Sequence, residues 1–226
     1  MNFRASLSAA VVTLIAILIV GAAPGGAAPV SASTLSSPKT PDLKADTDGF
    51  LRRWLVLEPI AATGLTESIV QAAVRKGPFA NEPSAIPRDE EKVNVESAQL
   101  TWHALDTSNY NLNLFHFARS LDKNTSNVLF WVVTVVHAPR EMRDVRLAIG
   151  SNAASVWWVN GQEAIGIYGD RQTVIDDGVS KRLTLKKGPN VIQAAVVNGG
   201  GATDFCARIL DSNDKPLTDF VVNLRP

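Results

Sequence analysis

Most of the chain alternates apolar and polar residues with a period of two, and that period predicts strands. Residues 143–149 are the cleanest case: Val145, Leu147 and Ile149 fall on one face, Asp144, Arg146 and Ala148 on the other. Residues 50–57 read as the first strand, stopped at Glu58-Pro59. Val93 and Val95 alternate with polar residues, and 100–105 follow. Tyr110, Leu112 and Leu114 alternate with asparagines and read as a strand. So do 164–168, 180–185, 191–197, 205–210 and 220–224. Residues 129–137 (LFWVVTVVH) are continuously apolar, as on a strand buried on both faces. Residues 155–159 run into Asn160-Gly161, a tight-hairpin signal. Asp177-Gly178, Lys187-Gly188-Pro189-Asn190 and Asn198-Gly199-Gly200-Gly201 mark further turns. One segment, 66–76 (TESIVQAAVRK), has helical punctuation. Thr66 can cap it, Glu67 suits its positive end, Arg75 and Lys76 suit its negative end, and Gly77-Pro78 stop it. Ile69 and Ala73, with Ala72 at the margin, give it a short apolar stripe. Many short strands separated by turns predict an all-β sandwich or barrel over 48–226 with one short helix near its start.

The N-terminus has a different pattern. After the basic Met1-Asn2-Phe3-Arg4, residues 9–20 (AAVVTLIAILIV) are apolar. The run is shorter than the roughly 20 residues a spanning helix requires. Gly21, Pro24, Gly25 and Gly26 break any helix, and Val30-Ser31-Ala32 offers small residues to a signal peptidase. Residues 1–32 therefore read as a signal peptide cleaved after Ala32; an uncleaved anchor is the alternative. Cleavage after Ala23 or Ala28 would leave a proline immediately downstream. No cysteine near the site offers a lipid attachment point. Residues 33–47, rich in Ser, Thr and Pro, read as a linker. The expected location is secreted or periplasmic, with no stable membrane anchor after cleavage.

Charge narrows the partners. Lys plus Arg number 22 and Asp plus Glu 22, a formal net charge of zero over 226 residues. That leaves no electrostatic footprint for nucleic acid and no basic patch for anionic lipid. Cys206 is the sole cysteine, so no intramolecular disulfide can form. Its strand-like setting predicts a buried, inert thiol. A catalytic thiol needs a nearby cation or helix N-terminus, and Arg208 is the one candidate.

Catalytic patterns are sparse. The nucleophile elbow G-x-S-x-G is missing, as is H-E-x-x-H, and His103, His116 and His137 lack metal-ligand spacing. Asp176-Asp177-Gly178 reads as turn chemistry rather than as paired carboxylates facing across a substrate. Asp89-Glu90-Glu91-Lys92 reads as a solvated loop. Asn198-Gly199-Gly200-Gly201 lacks the Lys-Ser/Thr of a phosphate loop. Asn124-Thr125-Ser126 fits a glycosylation sequon, a pattern common by chance. No catalytic residue, metal or cofactor is expected.

Five tryptophans remain. Trp54, Trp102 and Trp131 sit in apolar runs and are expected in the core. Trp157 and Trp158 are adjacent on one strand and must point to opposite faces. One of them therefore either lies under other protein, the N-terminal strand or helix, or offers a flat apolar platform to a ligand such as a sugar.

The residues around that pair resemble a known pattern. Leu147-Ala148-Ile149-Gly150-Ser151-Asn152 and Val156-Trp157-Trp158-Val159-Asn160-Gly161-Gln162-Glu163 resemble the "R-I-G-S-D-D-G-x-x-V-W-L-N-G" stretch of secreted bacterial galactose-binding-domain-like jelly-roll modules. Such modules are attached to glycoside hydrolases and acetyl-xylan esterases. Residues 183–192 resemble their "L-x-x-G-x-N" strand pair, 196–201 their glycine turn, and 54–60 their opening "W-x-V-x-G-P-F". The resemblance covers 129–211 well, 50–60 in part and 61–128 poorly. It implies an antiparallel jelly-roll β-sandwich in which Trp157 takes a core aliphatic position and Trp158 matches the usual tryptophan. Trp157 and Val159 then face the core. Where many relatives carry Asp-Asp-Gly, this chain has Asn152-Ala153-Ala154, which weakens any family-type calcium or sugar site at that loop. The expected function is a non-catalytic carbohydrate-binding or accessory module. Stacking would come from Trp158 or Tyr168, and the polar rim from Asn160, Gln162, Asp170 and Arg171. Its partners would be polysaccharide or oligosaccharide and a secreted carbohydrate-active enzyme. Two alternatives stand beside it: a structural module docking a catalytic esterase or glycosidase, and an esterase-related protein acting itself.

Overall fold

A computed structural model describes residues 34–79 and 82–225; the expected signal peptide lies outside the described residues. The elements open with β1 (Leu35–Ser36), β2 (Leu43–Lys44), β3 (Arg53–Leu57), β4 (Ile60–Ala61), α1 (Glu67–Val74), β5 (Lys92–Val95) and β6 (Ala98–Thr107). Then follow β7 (Leu112–Asn113), α2 (Leu114–Ser120), β8 (Val128–Ala138), β9 (Met142–Asn152), β10 (Ala154–Val159) and β11 (Gln162–Ile167). The chain ends with β12 (Gly178–Val179), β13 (Leu183–Leu185), β14 (Gly188–Asn198), β15 (Asp204–Leu210) and β16 (Val221–Asn223).

Two antiparallel sheets form a β-sandwich. The larger runs β1-β6-β3-β8-β14-β10-β11, and the smaller runs β12-β9-β15-β7 with β13 on β9. The apolar run 129–137 becomes β8, the centre of the larger sheet. One edge of β8 pairs along its whole length with β14, from Val128↔Asn198 to Ala138↔Gly188. Its other edge is shared in succession by β4, β3 and β16.

Both faces of β8 are buried, as its composition predicts. Phe130, Val132 and Val136 face the smaller sheet, in a core shared with Leu147, Ile149, Phe205 and Ile209. At its centre Trp54, Trp157 and Phe205 pack edge to face. Their centroids are 6.0 Å apart for Trp54–Trp157, 5.0 Å for Trp54–Phe205 and 5.5 Å for Trp157–Phe205. Each indole N–H is satisfied: Trp54 Nε1 donates to Leu51 O at 2.7 Å and Trp157 Nε1 to Ser155 Oγ at 2.9 Å. On the opposite face Leu129, Trp131 and Val133 join Trp102, Phe79, Val70 and Val95 in a second apolar layer. The segment holding α1, Phe79 and β5 closes that layer. Gly77 lets the chain lie flat on the Trp131 ring; a Cβ there would sit 2.5 Å from Trp131 Nε1. Trp54, Trp102 and Trp131 are thus core residues, as expected.

Three expectations need correction. Leu114 does not continue a strand; it opens α2. Asn113 caps that helix, its Oδ1 accepting from His116 N at 2.7 Å, and Leu114, Phe117 and Ala118 form a buried i, i+3, i+4 stripe. Thr203 O accepts from Leu114 N and Phe115 N, groups without partners inside the helix. In α1 the buried residue is Val70, whereas Ile69 is 44% exposed. Thr66 holds the cap position without a side-chain bond. Within residues 33–47, read from composition as a linker, the described residues carry two short strands. β1 pairs with β6, and β2 with β16.

Gly77→Ala is expected to cost about 1–3 kcal/mol by wedging the cover off Trp131. Gly200→Ala, where a Cβ would meet open space, should stay within about 0.5 kcal/mol. Urea denaturation of both variants measures the difference.

Candidate functional site

On β10, Trp157 and Val159 belong to the core between the sheets, and Ala154, Val156 and Trp158 to the outer layer. Trp158 is half-buried and stacks on Trp131, with centroids 5.5 Å apart and planes 30° apart. A bulge in β11 sets Trp157 opposite Ile165 but Trp158 opposite Glu163. Glu163 therefore shares Trp158's side, next to α1. Gln71 of α1 donates to Glu163 Oε2 at 3.2 Å and to the Tyr168 hydroxyl at 3.1 Å. The Tyr168 ring folds back over Gly166, where a Cβ would fall 2.6 Å from the hydroxyl. Burial raises the Tyr168 phenol pKa above its ordinary value. Tyr168 ties the β10–β11 hairpin to α1 through Gln71, and Trp158 packs it on β8 through Trp131.

Asn160 turns that hairpin with φ of 52°. Its Nδ2 donates to Asn190 Oδ1 at 3.0 Å, and its Oδ1 accepts from Val191 N at 3.0 Å. Asn190 is fully buried and donates in turn to Lys186 O and Gly188 O. The amide chain holds the hairpin tip rigidly to the start of β14. Beside it runs a groove of about 460 Å³. One wall is β11, the last strand of the larger sheet, offering Asn160, Gln162 and Glu163. The other is β13 and the residues before it, offering Lys181, Arg182 and Thr184. Arg182 is held by Asp214 at 3.1 Å and by the carbonyls of Asp144 and Asp211. Lys181 and Gln162 are exposed, and their side-chain donors have no partner among the described residues.

Asp170 and Arg171 lie outside this groove. Asp170 is exposed, and Arg171 pairs with Asp177 at 2.6 Å. Asp176, with φ of 57°, takes the guanidinium of Arg208, with Arg208 Nε at 2.9 Å. The guanidinium also sits 5.2 Å from the centre of the Phe50 ring. Each carboxylate of the 176–177 turn is thus committed to an arginine, in keeping with a turn role. The six expected residues separate into three places: Trp158 with Tyr168, Asn160 with Gln162, and Asp170 with Arg171. Glu163, Lys181, Arg182 and Thr184 were not anticipated. Arg182 and Thr184 do show as polar alternates to Leu183 and Leu185, but only the meeting of two sheet edges puts them opposite Gln162.

The loop at 152–154 does not suit a metal. Ala153 and Ala154 are buried methyls. With its amide oriented to donate, Asn152 bonds the carbonyls of Ala202 and Arg171 at 3.1 and 3.3 Å. An amide N–H satisfies those carbonyls, whereas a carboxylate would repel them without a bridging cation. Among the described residues no group of three or more His, Cys, Asp or Glu side chains is placed to hold a metal ion. No helix among them is long and apolar enough to cross a membrane.

No family model matches the sequence, and no curated protein matches it. Among solved structures the chain is similar to a PA14 sugar-binding domain from an RTX adhesin, at 13% identity and a TM-score of 0.44 over 75% of this chain and 96% of that one. It is similar to the PA14 domain of the MpAFP antifreeze protein, at 9% identity and 0.42 over 75% of this chain and 89% of that one. It is also similar to part of a β-glucosidase from Kluyveromyces marxianus, at 18% identity and 0.38 over 73% of this chain, spanning 17% of the enzyme.

Cys206 is buried, and that burial pushes its thiol up to about 12. Arg208 pairs with Asp176 and does not activate it. At pH 8 only about one thiol in ten thousand would be ionised. The native protein is therefore expected to resist a thiol-specific reagent such as Ellman's. It should release one equivalent once unfolded in urea; rapid reaction of the native form would refute the inert reading.

Proposed function

We propose that this chain is a secreted or periplasmic, non-catalytic module of the galactose-binding, jelly-roll kind that binds carbohydrate. It would serve as an accessory to a carbohydrate-active enzyme. The observation that carries this reading is the groove between β11 and β13. A sugar ring presents hydroxyls that each donate and accept, so its site needs mixed polar groups on a rigid frame. Here Gln162 offers an amide, Thr184 a hydroxyl and Lys181 an ammonium. Both walls are sheet edges, and Asn160 with Asn190 locks the hairpin, so little order must be gained on binding. Trp158, stacked on Trp131, and Tyr168, bonded to Gln71 of α1, support the site from behind.

Calorimetric titration with xylo-oligosaccharides and other neutral plant-type oligosaccharides tests this. Gln162→Ala and Thr184→Ala are each expected to weaken binding about fivefold, the loss of one hydrogen bond of about 1 kcal/mol. Trp158→Phe should alter fluorescence and stability more than affinity. A folded protein that binds none of these glycans would overturn the reading in favour of a module that docks a catalytic partner.

A further inference from the structure

A larger cleft, of about 870 Å³, opens at one end of the larger sheet. It is built where four antiparallel strands come to the same level. Val221 of β16 pairs with Lys44 of β2 on one side and with His137 of β8 on the other. Beyond β8, His137 pairs with Pro189 and Ala138 with Gly188, next to Lys187. Directly opposed residues share a face, so Lys44, Val221 and His137 stand in one row. Ala138, Pro139, Phe220 and Val221 give the cleft apolar lining, with Phe220 buried.

The charges in this cleft are unequally committed. The Asp46 carboxylate accepts from Asp48 N at 3.1 Å and Phe50 N at 2.9 Å, and faces Arg52 at 3.3 Å. Asp219 is paired with Arg140. His137 Nε2 is bonded to Arg225 O at 3.2 Å. The side-chain ammonium groups of Lys44 and Lys187 have no hydrogen bond or ion pair among the described residues. Both acids of the lining are neutralised by arginines, and both lysines are not. The lining's two lysines and two aspartates sum to zero, but with both aspartates paired to arginines outside it, the two ammonium groups are its uncommitted charges.

The spacing suggests what they would hold. From β2 to β14 is three strand intervals, about 14 Å between backbones. Two lysine stems flanking that span bracket a length of about two or three linked sugar rings. Such a ligand would lay its apolar C–H faces on Val221 and Pro139. We propose that this cleft is a second binding site, selective for a carboxylate-bearing saccharide, a short oligouronate, whose carboxylates are taken by Lys44 and Lys187. The ligand class rests on the carbohydrate reading above, but the site shares no residue with the β11–β13 groove.

The test titrates the full mature chain with a defined oligogalacturonate, with its fully methyl-esterified form and with oligoglutamate of similar charge. The wild type is expected to bind the oligogalacturonate and to lose affinity as salt rises from 0.05 to 0.5 M, with charge screening. The Lys44→Gln/Lys187→Gln double variant, at surface positions and checked for an unchanged melting temperature, should bind it about tenfold more weakly. The methyl ester should bind the wild type no better than the double variant binds the acid. Unaltered binding by the double variant, equal binding of acid and ester, equal binding of oligoglutamate, or no oligogalacturonate binding at all would each overturn the proposal. Gln162→Ala should leave oligogalacturonate affinity intact. The double variant should likewise leave neutral xylo-oligosaccharide affinity intact. Loss of one site then leaves the other measurable, so the two readings fail separately.

Discussion

The structure depends on covering β8 on both sides. Seven of the nine residues 129–137, all but Thr134 and His137, place apolar side chains on the two faces of the larger sheet. A single sandwich partner buries only one of them. The second face carries Trp102, Trp131 and Trp158, and leaving it in water would forfeit several kcal/mol of apolar burial. The chain meets this by spending the segment from β4 to β5 on a cover: α1, the Phe79 loop and the β5 hairpin. Phe79 wedges between Trp102 and Trp131, with centroids 5.8 and 5.0 Å away. The two tryptophans of 157–158 follow from the same constraint, one for each layer.

That constraint decides where a ligand can go. Both broad faces near the centre of the larger sheet are closed, the inner by the smaller sheet and the outer by the α1 segment. The outer face of the smaller sheet is crossed by the 174–178 loop, whose Val174 O would lie 2.0 Å from a Cβ at Gly150. At the rim lie the groove where the sheet edges meet and the cleft where strands end, and smaller hollows lie beside α1 and beside Phe79 and Trp102. The groove's lining holds no aromatic side chain, and the cleft's holds the buried Phe220 and the His137 imidazole. Binding at the groove or the cleft, as proposed, would rest on hydrogen bonds and charge.

Legibility in the sequence tracks how local the cause was. The hairpin at Asn160-Gly161, the opposed faces of Trp157 and Trp158, and the double burial of β8 were all readable, because a period of two and a turn dipeptide act over a few residues. α2 was not readable as a helix. Its Leu114 also completes an alternating Tyr110, Leu112, Leu114 set, and the Asn113 cap matters only once Thr203 O is brought to the helix start. The strands at 35–36 and 43–44 are two residues long and carry no period at all. Of the anticipated site, Asn160 and Gln162 line a concavity, whereas Trp158 and Tyr168 support one. The groove's second wall lies 20 or so residues further on, and the cleft draws on four separate segments. Such sites are set by which sheet edges meet, and local pattern does not encode that.

The division of labour among the aromatics bears on the kind of affinity to expect. Sugar stacking on an indole draws on buried apolar area and is little affected by salt. Amide, hydroxyl and ammonium groups on a rim exchange water for ligand, and each net gain is only about 1 kcal/mol. Binding at the groove alone would therefore be weak per site. It would become useful where a second engagement raises the effective concentration of the first. A groove and a cleft on one rigid sandwich meet that condition without any moving part. Asn160 bonds Asn190, and Asn190 bonds the carbonyls of Lys186 and Gly188 around Lys187. The same buried amide that holds the groove's hairpin also holds the turn carrying the cleft's lysine, so the two proposed sites share one anchor. A neutral segment and a carboxylate-bearing segment of one branched polysaccharide could then be held together, and selectivity would lie in the pair rather than in either site.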